Sequence, residues 1–157
     1  ILMKMDNGQV VMLVLLDLSA AFDTIDHKIL LQRLENRYGI KGNALKWFKS
    51  YLTGRTQSVC INGHESEIRP LKYGVPQGSR LGPILFNSYI APLSEVVRKH
   101  GIDDEKFADD EELIMAFSTD AQDEQDKSCM KMIACIDDIR TFLKDNKLSN
   151  NSEKPNC

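Results

Sequence analysis

The sequence lacks a long apolar run, a cysteine pair and a histidine cluster. Its longest apolar run, Val10 to Leu16, has seven residues, and a membrane-spanning helix needs about 20. The four cysteines form no CxxC pair, so we expect reduced thiols, partly in the core, rather than zinc ligands or disulfides. The histidines show no metal-ligand spacing. No signal-peptide pattern opens the chain, which predicts an intracellular protein of the nucleus or cytoplasm, with no membrane partner.

Basic residues are not in excess either. The formal net charge is -3, whereas a protein that binds a nucleic-acid duplex by itself normally carries basic surface for the phosphates. The 157 residues, of which 42% are hydrophobic, are enough for one domain with a core. The chain starts without an initiator methionine and stops without a closing element. We therefore expect one domain over residues 1–157, truncated at both ends.

Apolar periodicity and capping signals predict an α+β domain, with helices on one face of a mainly antiparallel sheet. The continuous run at Val10–Leu16 predicts a strand covered on both faces. The next predicted elements are a helix over 27–36 capped by Asp26, a helix over 43–52, a hairpin over 56–69 turning at Asn62-Gly63, and a loop over 74–83. They are followed by a helix over 83–99 that bends at Pro92 and by a strand over 113–117. The last predicted element is a helix from Asp120 to about 146, whose apolar face carries Cys129, Met132, Ile133, Ile136 and Leu143.

Three carboxylates lie beside apolar strands. Asp17 ends the first strand, and Asp109 and Asp110 precede a later one. A carboxylate in apolar surroundings is stabilised by a nearby cation. Two Mg²⁺ ions would provide that charge, and a two-metal site needs hard oxygen ligands on a rigid base. Ordinary strand-end caps and turns are the alternative that the carboxylates alone leave open.

Three sequence blocks occur in a fixed order: LDLSAAFDTIDH at 16–27, GVPQGSRLGP at 74–83 and FADD at 107–110. Together they resemble the palm motifs of reverse transcriptases from non-LTR (LINE-type) retrotransposons. The segments SYLTGRTQ at 50–57 and NKL at 146–148 are similar to the same family. The resemblance implies a polymerase palm with incomplete fingers and no thumb. It also implies RNA-directed DNA polymerisation, with an RNA template, a DNA primer and deoxynucleotides as partners.

The resemblance also implies roles for single residues. Asp17, Asp109 and Asp110 would be the catalytic metal ligands for two Mg²⁺ ions, with Mn²⁺ as a substitute, and the backbone carbonyl of Leu18 would be an extra ligand. Phe22 would be the steric gate that excludes a ribose 2′-hydroxyl. Its alternative role is core packing.

The second block resembles the loop that holds the incoming nucleotide. Gln77, Gly78 and Ser79 would contact it there, and a glycine lets the backbone approach a base pair closely. A simple turn before the next helix is the alternative. Lys154 would be the general acid that protonates departing pyrophosphate, although Pro155 replaces the usual threonine. Otherwise Lys154 is a solvated tail lysine.

The third block departs from the family pattern. From Asp103 to Glu112 only Lys106, Phe107 and Ala108 are not acidic, and such clustered like charges repel one another. We expect the acidic run to weaken the hairpin that carries Asp109 and Asp110. The resulting hypothesis is a drifted copy with reduced or absent turnover, so that the chain would be an inactive remnant of a retrotransposon enzyme. A palm reused for protein interaction has no positive support in the sequence.

Overall fold

The computed structural model describes residues 9–19, 22–76, 78–107, 110–118 and 122–150. The elements in chain order are β1 (Gln9–Ser19), α1 (His27–Asn36), α2 (Gly42–Leu52), β2 (Thr56–Gln57), β3 (Cys60–Ile61), β4 (His64–Glu65), β5 (Arg69–Pro70), α3 (Gly82–Ile90), α4 (Leu93–Lys99), β6 (Asp103–Phe107), β7 (Asp110–Ser118), α5 (Gln122–Asp145) and β8 (Ser149–Asn150). They form two compact units, one of Ile1–Ser19 with Ile90–Cys157 and one of Ala20–Tyr89.

The first unit is built on a four-stranded sheet. Its strand order is β6-β7-β1-β8, and every pairing among the described strands is antiparallel. Helices α4 and α5 pack against each other and against β6 and β7. The buried apolar side chains of this unit include Leu16, Leu18, Leu93, Val97, Ile102, Leu113, Ile114, Met115, Met132, Cys135, Ile139 and Leu143. The predicted α+β class, with an antiparallel sheet and packed helices, is confirmed.

The prediction that β1 is covered on both faces is wrong. Leu16 and Leu18 are 7% and 4% exposed, whereas Leu13 and Leu15, which alternate with them, are 46% and 67% exposed. Successive side chains of a strand point to opposite faces of the sheet. Strand β1 therefore buries one face and leaves an apolar stripe on the other, which a continuous apolar run does not reveal.

The buried face of α5 also differs from the prediction. Met132 and Leu143 are buried as expected, but Cys129 and Ile133 are exposed. Cys135 and Ile139 are buried instead. Spacings of three and four residues from Met132 to Leu143 follow one continuous helical stripe. The predicted cap, Asp120, lies outside the described residues.

The second unit begins with two helices whose positions the sequence predicts well. Asp26 caps α1, because its carboxylate accepts hydrogen bonds from the backbone N–H groups of Lys28 at 2.9 Å and Ile29 at 3.1 Å. Helix α2 packs against α1. The buried apolar side chains of this unit include Ile25, Leu30, Leu34, Leu52, Val75, Leu85, Phe86 and Tyr89.

The predicted hairpin is present but interrupted. Strands β3 and β4 pair across Asn62 and Gly63, which have φ values of 51° and 81°. Two positive φ values are those of a type I′ turn. Strands β2 and β5 pair further from the turn, and between the two pairs the Ser66 hydroxyl accepts a hydrogen bond from the Val59 N–H at 2.9 Å. All of these strand residues are exposed.

The helix predicted over residues 83–99 is divided at Pro92 into α3 and α4. Proline lacks the backbone N–H that a helix interior uses, so a new helix starts there. Within the described part of the chain, no helix has both the length and the apolar character needed to cross a bilayer.

Candidate active site

The ends of β1 and β7 bring two of the predicted carboxylate positions together. Asp17 and Asp110 are direct partners in the antiparallel register, and direct partners have Cα atoms about 4.5–5.5 Å apart. On its other side Asp110 is paired with Phe107 of β6. Direct partners in an antiparallel pair lie on the same face of the sheet, so the register places these two aspartate positions at facing strand ends. Asp109 lies outside the described residues.

Leu18 follows Asp17 in a segment that pairs with β8. Its direct partner is Asn150, and its side chain is buried. The chain reaches β8 through the NKL segment, where Leu148 N–H donates to the Leu143 carbonyl at 2.9 Å and Lys147 has φ 55°. After the end of α5, the chain pairs through β8 with β1, the strand that carries Asp17.

The described residues of the acidic run lie in two paired antiparallel strands, β6 up to Phe107 and β7 from Asp110. The Asp104 side chain is 4% exposed and lies 3.6 Å from Arg98 of α4. The Ser94 hydroxyl donates a hydrogen bond to the Asp104 carboxylate at 2.5 Å. Ser94 and Arg98 thus compensate the cost of burying the Asp104 carboxylate. Glu105 and Glu112, by contrast, are direct neighbours across the two strands, and like charges at such positions destabilise a sheet.

The GVPQGS loop is fastened to the segment that follows the first block. Gly74 and Val75 N–H groups donate to the carbonyls of Ile25 and Phe22, each at 2.8 Å. His27 lies 2.7 Å from the Gly74 carbonyl through Nε2. Because a carbonyl oxygen only accepts, this hydrogen bond requires the proton on Nε2. We call this group of hydrogen bonds the Gly74 clamp.

Glycine is required at position 74. Its φ is +85°, and an added Cβ would lie 2.9 Å from both the Cα and the carbonyl oxygen of Asp23. Real Cβ atoms essentially never come this close to backbone, and an L side chain rarely adopts that φ. The close approach puts the loop directly against the residues after Phe22.

The clamp brings the first two sequence blocks to one hollow. Phe22 lines it together with Pro76, Gly78, Ser79, Gly82 and Pro83, around a volume of about 370 Å³. The Phe22 ring is half-buried and packs on Phe86, with ring centroids 4.9 Å apart and planes inclined by 31°. Phe22 therefore both supports the core and forms a wall of the hollow.

Gly78 and Ser79 of the GVPQGS loop differ in their surroundings. Gly78 has φ +75°, and an added Cβ there would meet nothing within 4 Å. The Ser79 hydroxyl accepts a hydrogen bond from the Gly82 N–H at 2.9 Å, so it caps the start of α3. Gly78 leaves its backbone open to a ligand, whereas Ser79 has a structural role. Gln77 and Lys154 lie outside the described residues.

A half-buried arginine of α1 packs on a buried tyrosine of α3 in the second unit. The Arg33 guanidinium lies 5.0 Å from the centroid of the Tyr89 ring, within cation–π range. Burial lowers the pKa of Arg33. Burial also raises the pKa of Tyr89, partly opposed by a hydrogen bond with the backbone of Asp26. Sequence analysis did not single out this pair, because its two members are distant in sequence.

A comparison with known protein families agrees with the resemblance of the three sequence blocks. The family model described as reverse transcriptase (RNA-dependent DNA polymerase) matches residues 3–156. The chain belongs to the reverse transcriptase family. The match covers the strand-end carboxylates, the clamped loop and the hairpin between β6 and β7.

Individual relatives of this reverse transcriptase chain come from mobile elements. The RNA-directed DNA polymerase from mobile element jockey of Drosophila melanogaster is 34% identical over 89 residues, 57% of this chain and 10% of that protein. Its Drosophila funebris counterpart is 28% identical over 128 residues, 82% of this chain and 13% of that protein. A retrovirus-related Pol polyprotein from type-1 retrotransposable element R2 of Popillia japonica is 30% identical over 81 residues, 52% of this chain and 13% of that protein. The chain thus spans a small part of these relatives, and the resemblance to non-LTR enzymes is confirmed.

His27 is a residue of the candidate site that sequence reasoning missed. It is buried at the start of α1 and holds the Gly74 carbonyl. One signal in the sequence pointed to His27, since the first block ends on this histidine. Its partner is 47 residues away, so only the fold reveals what it binds.

Proposed function

We propose that this chain supplies the palm of an RNA-directed DNA polymerase that extends a DNA primer on an RNA template. The observation that carries the proposal is the direct pairing of Asp17 with Asp110 at adjacent strand ends, together with the family to which the chain belongs. In this reaction the primer 3′-hydroxyl attacks the α-phosphate of a deoxynucleotide, and pyrophosphate leaves. The protein contributes positioning and charge neutralisation.

The carboxylates of Asp17, Asp109 and Asp110 would hold two Mg²⁺ ions, or Mn²⁺ in their place, with the Leu18 carbonyl as an extra ligand. Metal ions bound there would activate the attacking oxygen and stabilise the leaving one. Lys154 would donate a proton to the departing pyrophosphate. The carboxylates must be ionised for this work, and the metal charge favours that state.

In the second unit, the hollow beside Phe22 would receive the sugar and base of the deoxynucleotide. The half-buried Phe22 ring is held by Phe86, so it cannot move aside easily and would exclude a 2′-hydroxyl. Gly78 would let the backbone reach the base pair, and Gln77 would contact the nucleotide. Ser79 would act indirectly, because its hydroxyl caps α3.

The test is primer extension with a chimeric enzyme. Residues 3–156 would replace the matched segment of a jockey polymerase, and deoxynucleotide incorporation would be measured on an RNA template. We expect incorporation, and we expect Asp17→Asn to abolish it. Asp103→Asn is the matched control, because Asp103 lies at the end of β6 farther from Asp110, and this variant should retain incorporation. Incorporation that survives Asp17→Asn would contradict the proposal.

The second candidate function is an inactive remnant of such an enzyme. It is favoured by the acidic positions Glu111 and Glu112, and by the Glu105–Glu112 pair across the hairpin. Under this hypothesis the chimera incorporates deoxynucleotides slowly or not at all, and Glu111→Thr raises its rate of incorporation. A silent chimera that Glu111→Thr does not improve would count against drift at this position.

A further inference from the structure

The two compact units carry opposite charge. Ala20–Tyr89 contains ten Lys or Arg and five Asp or Glu, a net charge of +5, whereas the rest of the chain has ten against eighteen, a net charge of -8. The net charge of -3 for the whole chain is therefore the sum of a basic unit and an acidic unit. Within that unit, residues 36–64 contain five basic residues and no acidic one. The five are Arg37, Lys41, Lys46, Lys49 and Arg55.

Helix α2, in the middle of this acid-free segment, carries a row of stacked planar groups. Trp47 and Tyr51 are one helical turn apart, and their rings are 5.5 Å apart with an interplanar angle of 11°. The Arg55 guanidinium continues the row, 5.4 Å from the centroid of the Tyr51 ring. We call these three residues the α2 ladder. Offset stacking and cation–π contact stabilise such a row.

The ladder is fixed in position rather than loosely exposed. Arg55 donates from Nη1 to the Tyr51 carbonyl at 3.3 Å, and its own carbonyl accepts from the Leu71 N–H at 2.8 Å. Phe48 meets the Trp47 ring edge-on, with centroids 5.2 Å apart. A planar surface held in this way loses little conformational entropy when a ligand stacks on it.

The ladder is not needed to join the two helices. Leu45 and Lys49 of α2 line a cleft shared with α1, and Leu52 is the buried residue of the helix. Trp47 remains 53% exposed. An exposed aromatic side chain on a segment with basic and no acidic residues matches the composition of surfaces that bind single-stranded nucleic acid, where bases stack on aromatic rings and lysines contact phosphates.

We propose that the α2 ladder, with Lys46 and Lys41 beside it, binds the unpaired RNA template strand. The choice of RNA rests on the proposed function, in which the template is the strand that presents unpaired bases. Charge favours this occupant over a protein surface, because residues 36–64 carry five basic residues and no acidic one, and basic residues attract phosphate. A base stacks on the open Trp47 ring, and the lysines neutralise the phosphates on either side.

The first measurement uses the fluorescence of Trp47, the single tryptophan of the chain. Oligouridylate is added to the full chain at low salt, with EDTA and without deoxynucleotides. We expect saturable quenching, because a stacked base contacts the indole directly. An RNA duplex should not quench, since its bases are already stacked. RNA binding detected by anisotropy without any quenching, or equal quenching by the duplex, would overturn the proposal.

The second measurement compares variants by fluorescence anisotropy of labelled oligouridylate. Trp47→Ala should weaken binding about 5- to 150-fold, the effect of removing one base–aromatic stack, and Trp47→Phe should restore most of it. Tyr73→Ala is the matched control, because Tyr73 is 50% exposed in the same unit, and should bind as the parent does. Lys46→Gln should lower the slope of log affinity against log salt by about 0.7.

Several results would contradict the proposal. They are an unchanged affinity for Trp47→Ala, an equal loss for Tyr73→Ala, or binding of oligothymidylate without binding of oligouridylate. The test is separate from the proposed polymerase activity, because neither metal nor deoxynucleotide is present. A chimera that fails to polymerise leaves the binding result intact, and loss of RNA binding leaves metal binding by Asp17 untouched.

Discussion

Replacement of Gly74 by alanine tests the close approach of the GVPQGS loop to the chain that follows Phe22. The new Cβ would lie 2.9 Å from the Asp23 Cα and 2.9 Å from its carbonyl oxygen. Both atoms belong to backbone, so no side-chain rotation relieves the clash. Overpacking of this kind costs about 1–3 kcal/mol, and the positive φ adds about 1–2 kcal/mol for an L residue. Alanine also restricts the unfolded chain, which offsets about 0.4–1 kcal/mol.

The net expectation is a loss of about 2–4 kcal/mol in the free energy of unfolding. In a chain of this size, a loss of that magnitude lowers Tm by about 5–15 °C. The assay is thermal unfolding of the full chain followed by circular dichroism. Gly39→Ala is the matched control, because Gly39 has φ +67° but nothing within 4 Å of an added Cβ. It should lose only the backbone contribution, about 1 kcal/mol. Equal shifts for the two variants would refute the close-approach argument.

Two further predictions concern stability. Tyr89→Phe should cost about 1 kcal/mol at neutral pH, because the hydroxyl loses its hydrogen bond. The pKa of Tyr89 is raised above its ordinary value of 10.0, so its contribution is complete below pH 10 and is lost as pH rises through the raised pKa. The parent should therefore lose more stability above pH 10 than Tyr89→Phe does, and parallel pH profiles from urea unfolding would contradict this. Glu105→Lys should stabilise the hairpin by about 0.5–1 kcal/mol, since it turns the like-charge pair with Glu112 into an opposite-charge pair. A destabilised variant in the same unfolding assay would show that the acidic run does not weaken the hairpin.

Local signals predicted the second unit well. The cap at Asp26 and the turn at Asn62-Gly63 depend on residues within a few positions of one another. The break at Pro92, in the first unit, also has a local cause, because proline lacks the backbone N–H that a helix interior uses. These features need no knowledge of the rest of the chain, so sequence alone predicted them.

Features set by distant partners were missed. Leu13 and Leu15 are apolar yet exposed, because burial of β1 depends on which faces the helices cover. Strand β6 was not predicted from its acidic residues, and Ser94 and Arg98 on α4 lie against its buried Asp104. His27 acquires its role only through Gly74, which is 47 residues away.

The candidate site was predicted in part. The resemblance implied a common metal site for Asp17 and Asp110, and the register makes their backbone positions direct partners. Phe22, Gly78 and Ser79 meet at one hollow. The sequence did not predict that the Ser79 hydroxyl is used as a helix cap, because that depends on where α3 begins. The catalytic roles of these residues remain predictions.

The most direct test of the account is a titration of the full chain with Mn²⁺, followed by electron paramagnetic resonance, with Mg²⁺ as competitor. The account predicts saturable binding that Asp17→Asn and Asp110→Asn each weaken about tenfold or more, while Asp103→Asn binds as the parent does. Mn²⁺ binding that is indifferent to Asp17 and Asp110, or equally reduced by Asp103→Asn, would contradict a catalytic metal site at the facing ends of β1 and β7.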